Sequence, residues 1–133
     1  AEFTPISFGS YVFESNNDLE DFTFPAWLIK VPEGIFSSCW NLKTVTFAEG
    51  TTNIEKDAFN FCERLQLGNL PNTLKLIGIS AFYGCGSKLY GSNYFLNTLY
   101  INKQTEIQDN AFCKARIKGV AFEDCTNRSI YNV

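Results

Sequence analysis

The sequence predicts an α/β-type repeat solenoid, a fold in which similar turns of one chain stack on one another. Phenylalanines recur every 23 residues, at positions 13, 36, 59 and 82. Three of these phenylalanines are followed three positions later by a cysteine, namely Cys39, Cys62 and Cys85. A fixed period of about 20 to 50 residues is typical of chains that coil into stacked turns. We therefore expect the repeated side chains to lie one above another.

Further apolar columns define the elements of each turn. Starting six residues after Phe13, Phe36 and Phe59, and with shifts in the two later turns, the pattern apolar-x-x-apolar-x-apolar ends in an alternation typical of a half-buried strand. Its inward positions are Leu19/Phe22/Phe24, Leu42/Val45/Phe47, Leu65/Gly68/Leu70, Leu96/Leu99/Ile101 and Ile117/Val120/Phe122. Another column lies five residues before each phenylalanine, at Val31, Ile54, Ile77 and Ile107. With Phe112 as the last anchor, we count five turns.

The period breaks once. From cysteine to strand leucine the spacing is three residues in two turns (39 to 42 and 62 to 65) but eleven in the next (85 to 96), so eight extra residues lie within 86–95. This segment holds glycines and serines, as a surface loop does. We predict a single domain over residues 1–133, with an insertion near 86–95 and a terminal cap after the strand that ends at Phe122.

Composition excludes some classes of partner. The chain has 133 residues and a net charge of −3, so it offers no basic surface for nucleic acid. No apolar run approaches the roughly 18 to 20 residues that a membrane span needs. Because the sequence contains no Met, we expect it to be a processed product or a piece of a longer array.

The repeat resembles a known family. The segments Phe36-Ser-Ser-Cys39-Trp-Asn-Leu42-Lys-Thr-Val45-Thr-Phe47 and Ala81-Phe82-Tyr-Gly-Cys85 are similar to BspA-type (Treponema-like) leucine-rich repeats. The resemblance implies a right-handed superhelix with a parallel sheet on its concave face, short convex strands and short helical or 3-10 turns around each Phe-x-x-Cys. Departures from the pattern occur at Asn16, Gly68 and Ala115.

The resemblance also implies a function. Such proteins are mostly cell-surface or secreted proteins of bacteria and some parasitic protists, where they are linked to adhesion. We therefore predict a non-catalytic module that binds a host or other cell-surface protein. The alternative is a structural spacer or self-assembly segment that associates through apolar solenoid ends, which contain Phe8 and Tyr11 at one end and Ile130 and Tyr131 at the other.

Two features are candidate binding surfaces. The strand residues between the inward ones point outward in two columns, which are Asp21, Thr44, Leu67, Thr98 and Gly119, and Thr23, Thr46, Asn69, Tyr100 and Ala121. Thr is also favoured in any solvated strand, so a plain sheet face stays open as an alternative. The insertion carries Tyr90, Tyr94 and Phe95, which are either contact anchors or side chains that fold back on the solenoid. Glu20 and Lys43 are expected to form a surface ion pair worth under about 1 kcal/mol.

The sequence predicts no catalytic residue, cofactor or metal. The chain contains no histidine, which excludes His-based triads, bases and metal sites. Acidic residues cluster at Glu14, Asp18, Glu20 and Asp21. We interpret them as a solvated rim, with a glycosidase-like pair or a weak calcium site as alternatives.

The five cysteines cannot all pair within one chain, because their number is odd. Stacked Cys39, Cys62 and Cys85 would be spaced by about 4.8 Å with parallel side chains, whereas a disulfide needs converging Cβ atoms about 3.8 Å apart. We predict that they are buried thiols acting as small apolar residues. Cys113 and Cys125 could form one bridge near the end of the chain.

Overall fold

The computed structural model describes residues 8–67, 70–86, 101–117 and 120–121. These residues form eight short strands: β1 (Asp21–Thr23), β2 (Lys30–Val31), β3 (Thr44–Thr46), β4 (Asn53–Ile54), β5 (Leu76–Ile77), β6 (Glu106–Ile107), β7 (Arg116–Ile117) and β8 (Val120–Ala121). The described residues contain no helix. The short helical turns implied by the resemblance are therefore wrong for this part of the chain, where the Phe-x-x-Cys segments are hydrogen-bonded turns.

Most strands pair in parallel, one turn above another. The first sheet consists of β1 and β3, with Phe22 opposite Val45. The second sheet has the order β2-β4-β5-β6 and is also parallel. Its register confirms the column Val31, Ile54, Ile77 and Ile107. Handedness stays a prediction from the resemblance.

The predicted strands differ from the structure in two turns. Residues 65–67 and 70, expected to belong to the first sheet, contain no strand. In the last turn β8 pairs with β7 in antiparallel fashion, Ile117 facing Val120, instead of extending a parallel sheet. Only two residues separate these strands, which is the loop length that favours a tight hairpin. Phe122, predicted to end this strand, lies outside the described residues.

The phenylalanine column is the centre of the core. Successive ring centroids are 5.9 Å apart for Phe13 and Phe36, 5.7 Å for Phe36 and Phe59, 5.2 Å for Phe59 and Phe82, and 5.1 Å for Phe82 and Phe112. The last four rings are almost completely buried. The predicted stack is thus confirmed over five turns.

The backbone of each phenylalanine turn forms a ladder with the next. Alternate N–H groups donate to the following turn, so that Gly34, Phe36 and Ser38 bond to the carbonyls of Lys56, Ala58 and Asn60 at 2.9, 2.9 and 2.7 Å. The intervening N–H groups donate three residues back, as from Cys39 to Phe36 at 3.0 Å. Positive φ recurs on either side of the phenylalanine, at Tyr11, Gly34, Asp57, Ser80 and Asn110 and at Ser15, Ser38, Phe61, Gly84 and Lys114. This alternation satisfies the backbone without a helix.

Tyr11 joins three turns on the outside of the ladder. Its hydroxyl donates a 2.8 Å hydrogen bond to Asp57 Oδ2, two turns away. Its ring lies against Gly34, where a Cβ atom would overlap the ring carbons and where φ is +61°. The hydrogen bond to Asp57, with burial and nearby carboxylates, raises the pKa of Tyr11 to about 12.

Tyr11→Phe tests this contact. We expect the substitution to lower the free energy of unfolding by about 1 kcal/mol, because it removes the hydrogen bond to a carboxylate. Since the folded state keeps the Tyr11 proton, the contribution is present below pH 10 and is lost as the pH rises through about 12. Urea denaturation of both proteins between pH 7 and 11 measures the difference. Tyr83→Phe is the matched control and should change nothing; equal losses in the two variants would contradict the contact.

Candidate functional site

The outward face of the first sheet is the described part of the predicted binding surface. Asp21, Thr23, Thr44 and Thr46 are exposed, while the residues between them pack toward the core. The parallel register sets Asp21 beside Thr44 and Thr23 beside Thr46. The Thr44 hydroxyl donates a hydrogen bond to Asp21 Oδ1. The face is therefore small and polar, with one carboxylate held in position.

An ion pair flanks this face. Lys43 Nζ lies 3.6 Å from Glu20 Oε1, which confirms the pair predicted from their equivalent places in adjacent turns. Backbone hydrogen bonds hold Glu20 and Lys43 next to each other, because the Glu20 carbonyl accepts from the amides of Lys43 and Thr44. Both side chains are more than a third exposed, so the pair contributes under about 1 kcal/mol to stability.

The cysteine column lies inside the solenoid. Cys39, Cys62 and Cys85 are fully buried and free, as predicted. Each thiol donates to the carbonyl of the phenylalanine one turn before its own, at 3.0, 3.1 and 3.1 Å. Burial raises the pKa of all three thiols. They are protonated at neutral pH and serve packing, not nucleophilic chemistry.

Cys113 differs from the column. It follows Phe112 directly, and the position of the column cysteines is occupied by buried Ala115, whose amide donates to the Phe112 carbonyl. Cys113 is in a disulfide bond. Its predicted partner, Cys125, lies outside the described residues.

These columns agree with one comparison with known proteins. The family model described as "BspA type Leucine rich repeat region (6 copies)" matches residues 6–132. The chain belongs to this BspA-type leucine-rich repeat family. No curated protein matches the chain, and no solved structure matches it either.

One candidate binding residue of this leucine-rich repeat chain lies on the opposite face from the one that the sequence predicts. Leu67, predicted to point outward, is 2% exposed and belongs to the core, whereas its neighbour Gln66 is exposed. The strand template places Gly68 inward, but glycine has no side chain to fill the core. Leu67 occupies the core instead, and no strand forms between Leu65 and Leu67.

The other candidate binding residues lie outside the described residues. They are Asn69, Thr98 and Tyr100 of the outward columns, and Tyr90, Tyr94 and Phe95 of the insertion. Of the two remaining outward positions, Gly119 is also outside, and the backbone of Ala121 belongs to β8. The structure thus brings together the candidate residues of the first two turns.

Two open grooves lie where the chain turns from the first sheet toward the second. They have volumes of about 460 and 670 Å³ and share Gly50, Asn72 and Thr73. Hydroxyl and amide groups hold this bend, since Thr73 Oγ1 donates to the Thr51 carbonyl and Asn102 Nδ2 to the Asn72 carbonyl. Exposed Thr46 of β3 also lines the smaller groove, so this groove lies beside the outward face of the first sheet.

The described residues contain neither a membrane-spanning helix nor a cluster of metal ligands. Within the described ranges, no helix is long and apolar enough to cross a membrane. In the same part of the chain, no three His, Cys, Asp or Glu side chains gather as metal ligands do.

Proposed function

We propose that this leucine-rich repeat chain is a non-catalytic protein-interaction module of a cell-surface or secreted protein, with a role in adhesion. The contact surface is the outward face of the first sheet, Asp21, Thr23, Thr44 and Thr46. From the sequence alone, we add to this surface Asn69, Thr98 and Tyr100 of the outward columns, and Tyr90, Tyr94 and Phe95 of the insertion.

One observation carries this proposal. The exposed side chains of β1 and β3 stand in register on a backbone fixed by parallel pairing and by the buried phenylalanine stack beneath it. A rigid surface loses little conformational entropy when it binds, which favours tight binding of a partner that contacts a large area of it. The family match supports a protein as that partner, because this repeat family is consistent with interaction modules.

Binding to purified extracellular matrix proteins, measured by biolayer interferometry, tests the proposal. We expect the double variant Thr23→Lys/Thr46→Lys to bind at least about tenfold more weakly than the wild type, a loss of roughly 1.4 kcal/mol. The control Ser10→Lys/Ser15→Lys adds the same two charges at exposed positions outside the first sheet and should bind normally. Tyr94→Ala/Phe95→Ala tests the insertion separately. The proposal fails if no matrix protein binds. It also fails if Thr23→Lys/Thr46→Lys and Tyr94→Ala/Phe95→Ala both bind as the wild type does.

The alternative is a structural spacer that associates through an end of the solenoid. Among the described residues, six large apolar side chains are exposed, and three of them, Val12, Trp27 and Ile29, belong to the first turn. Such a surface favours self-association. Sedimentation at increasing concentration separates the two functions, because a strict monomer excludes assembly through this end.

A further inference from the structure

A cluster of an exposed ring, Phe61, and a half-buried ring, Tyr83, lies on the phenylalanine turns, outside the first sheet. The rings of Phe61 and Tyr83 meet edge to face, with centroids 5.3 Å apart and an interplanar angle of 74°. Lys114 Nζ lies 5.9 Å from the centroid of the Tyr83 ring. We call these three side chains the aromatic ledge.

The ledge stands on a fixed backbone. Its residues come from three successive turns, and the ladder joins them: the Phe61 amide donates to the Tyr83 carbonyl at 2.7 Å, and the Gly84 amide to the Cys113 carbonyl at 3.0 Å. Anchors that are already ordered cost little entropy when a partner binds. The ledge is thus prepared for contact before any partner arrives.

Phe61 breaks the local pattern of its position. Its φ is 57°, and the same position in the other turns holds Ser15, Ser38, Gly84 and Lys114. A bulky residue is uncommon at such a φ. The Phe61 ring covers Gly84, where a Cβ atom would lie 2.8 Å from the ring, and it is 38% exposed. An exposed aromatic residue with an unfavourable φ, at a place where serine suffices elsewhere, points to a binding role.

The charge on the ledge defines the partner. Lys114 is exposed, and within the described part of the chain its ammonium has no carboxylate partner, only the Tyr83 ring. Two apolar faces beside a cation complement a carboxylate flanked by apolar side chains. A sugar would need several converging donors and acceptors, and the ledge offers only the Tyr83 hydroxyl and the ammonium group.

We propose that the aromatic ledge is a second protein-contact surface, which binds an extended segment of a partner protein with a carboxylate beside proline or aliphatic side chains. This proposal rests on the proposed function of the chain as a protein-interaction module. Phe61 and Tyr83 are the apolar anchors, and Lys114 pairs with the carboxylate.

Titration of the isotope-labelled chain with synthetic nonapeptides, followed by amide NMR spectra, tests the ledge. One peptide combines proline and leucine with two central glutamates, and a matched peptide has glutamine in their place. We expect the acidic peptide to shift the amides of Phe61, Tyr83, Gly84 and Lys114 and to bind about tenfold more tightly than the matched peptide. An oligosaccharide of uronic acids is titrated in parallel and should leave these amides unchanged.

Variants complete the test. Phe61→Ser places at this position the residue that two other turns already have there, so it should fold and lose the peptide-induced shifts. Lys114→Gln should bind both peptides equally. Ile29→Ser removes a similarly exposed apolar side chain from the first turn and should bind as the wild type does.

Three results would overturn the ledge: no shifts with the acidic peptide, unchanged binding by Phe61→Ser, or a response to the oligosaccharide instead. The two proposals fail separately. Matrix-protein binding that survives while the peptide gives no shifts removes the ledge alone. Peptide binding without any binding to matrix proteins removes the sheet face and the adhesive role alone.

Discussion

Replacing Phe59 by alanine is expected to lower the free energy of unfolding by about 3 to 5 kcal/mol. The Phe59 side chain is fully buried and lies between the rings of Phe36 and Phe82, at 5.7 and 5.2 Å. It also meets the Phe47 ring edge to face, with the ring centroids 6.0 Å apart. Removing this ring leaves a cavity between two turns, and neighbouring turns cannot close it without breaking the backbone ladder that joins them.

Urea denaturation of wild type and variant measures the loss. Phe13→Ala is the matched control, because Phe13 belongs to the same column but lies in the first turn and is only partly buried. We expect Phe13→Ala to cost clearly less. A loss for Phe59→Ala no greater than that of the control would mean that the column is not the centre of the core.

Replacing Gly78 by alanine should have the second largest effect, about 3 kcal/mol from overpacking and a weakened hydrogen bond. A Cβ atom at this position would lie 2.5 Å from the Lys56 nitrogen and 2.7 Å from the Glu55 carbonyl carbon, which are backbone atoms of the neighbouring turn. The Gly78 amide also donates to the Ile54 carbonyl at 2.7 Å. The two turns must separate to admit the methyl group.

Gly9→Ala is the control for this substitution. A Cβ atom at Gly9 would meet only Val12, at an ordinary distance of 3.6 Å. Its effect should stay within about 0.5 kcal/mol. If thermal unfolding shows the same midpoint for both variants, the close approach of the turns at Gly78 is wrong.

The columns were predictable from the sequence because each depends on burial at a fixed period. A ring such as Phe59 or an aliphatic side chain such as Ile54 has one favourable direction in every turn, so spacing alone identifies it. Spacing alone gives the wrong buried residue where a glycine occupies a core position of the repeat. At Gly68 the template has no side chain to place inward, and Leu67 takes the core position that the pattern assigns to solvent.

The backbone of the turns and the ledge could not be predicted in this way. The two repeat positions with positive φ, those of Asp57 and Phe61, have no consistent residue type, because they hold tyrosine, serine, asparagine, lysine and glycine in other turns. The contact of Phe61 with Tyr83 joins different offsets of two turns, which a comparison within one column does not show. A signal was present nonetheless, because Phe61 is an aromatic residue in a column that is otherwise without one.

Nuclear Overhauser contacts between phenylalanine rings test the stacked turns most directly. Each sample carries labels on two of the three rings Phe36, Phe59 and Phe82. We expect cross-peaks from Phe59 to both Phe36 and Phe82, because the ring centroids are 5.7 and 5.2 Å apart. No direct cross-peak should join Phe36 to Phe82. A folded protein in which Phe59 contacts neither ring would contradict the solenoid and the binding surfaces built on it.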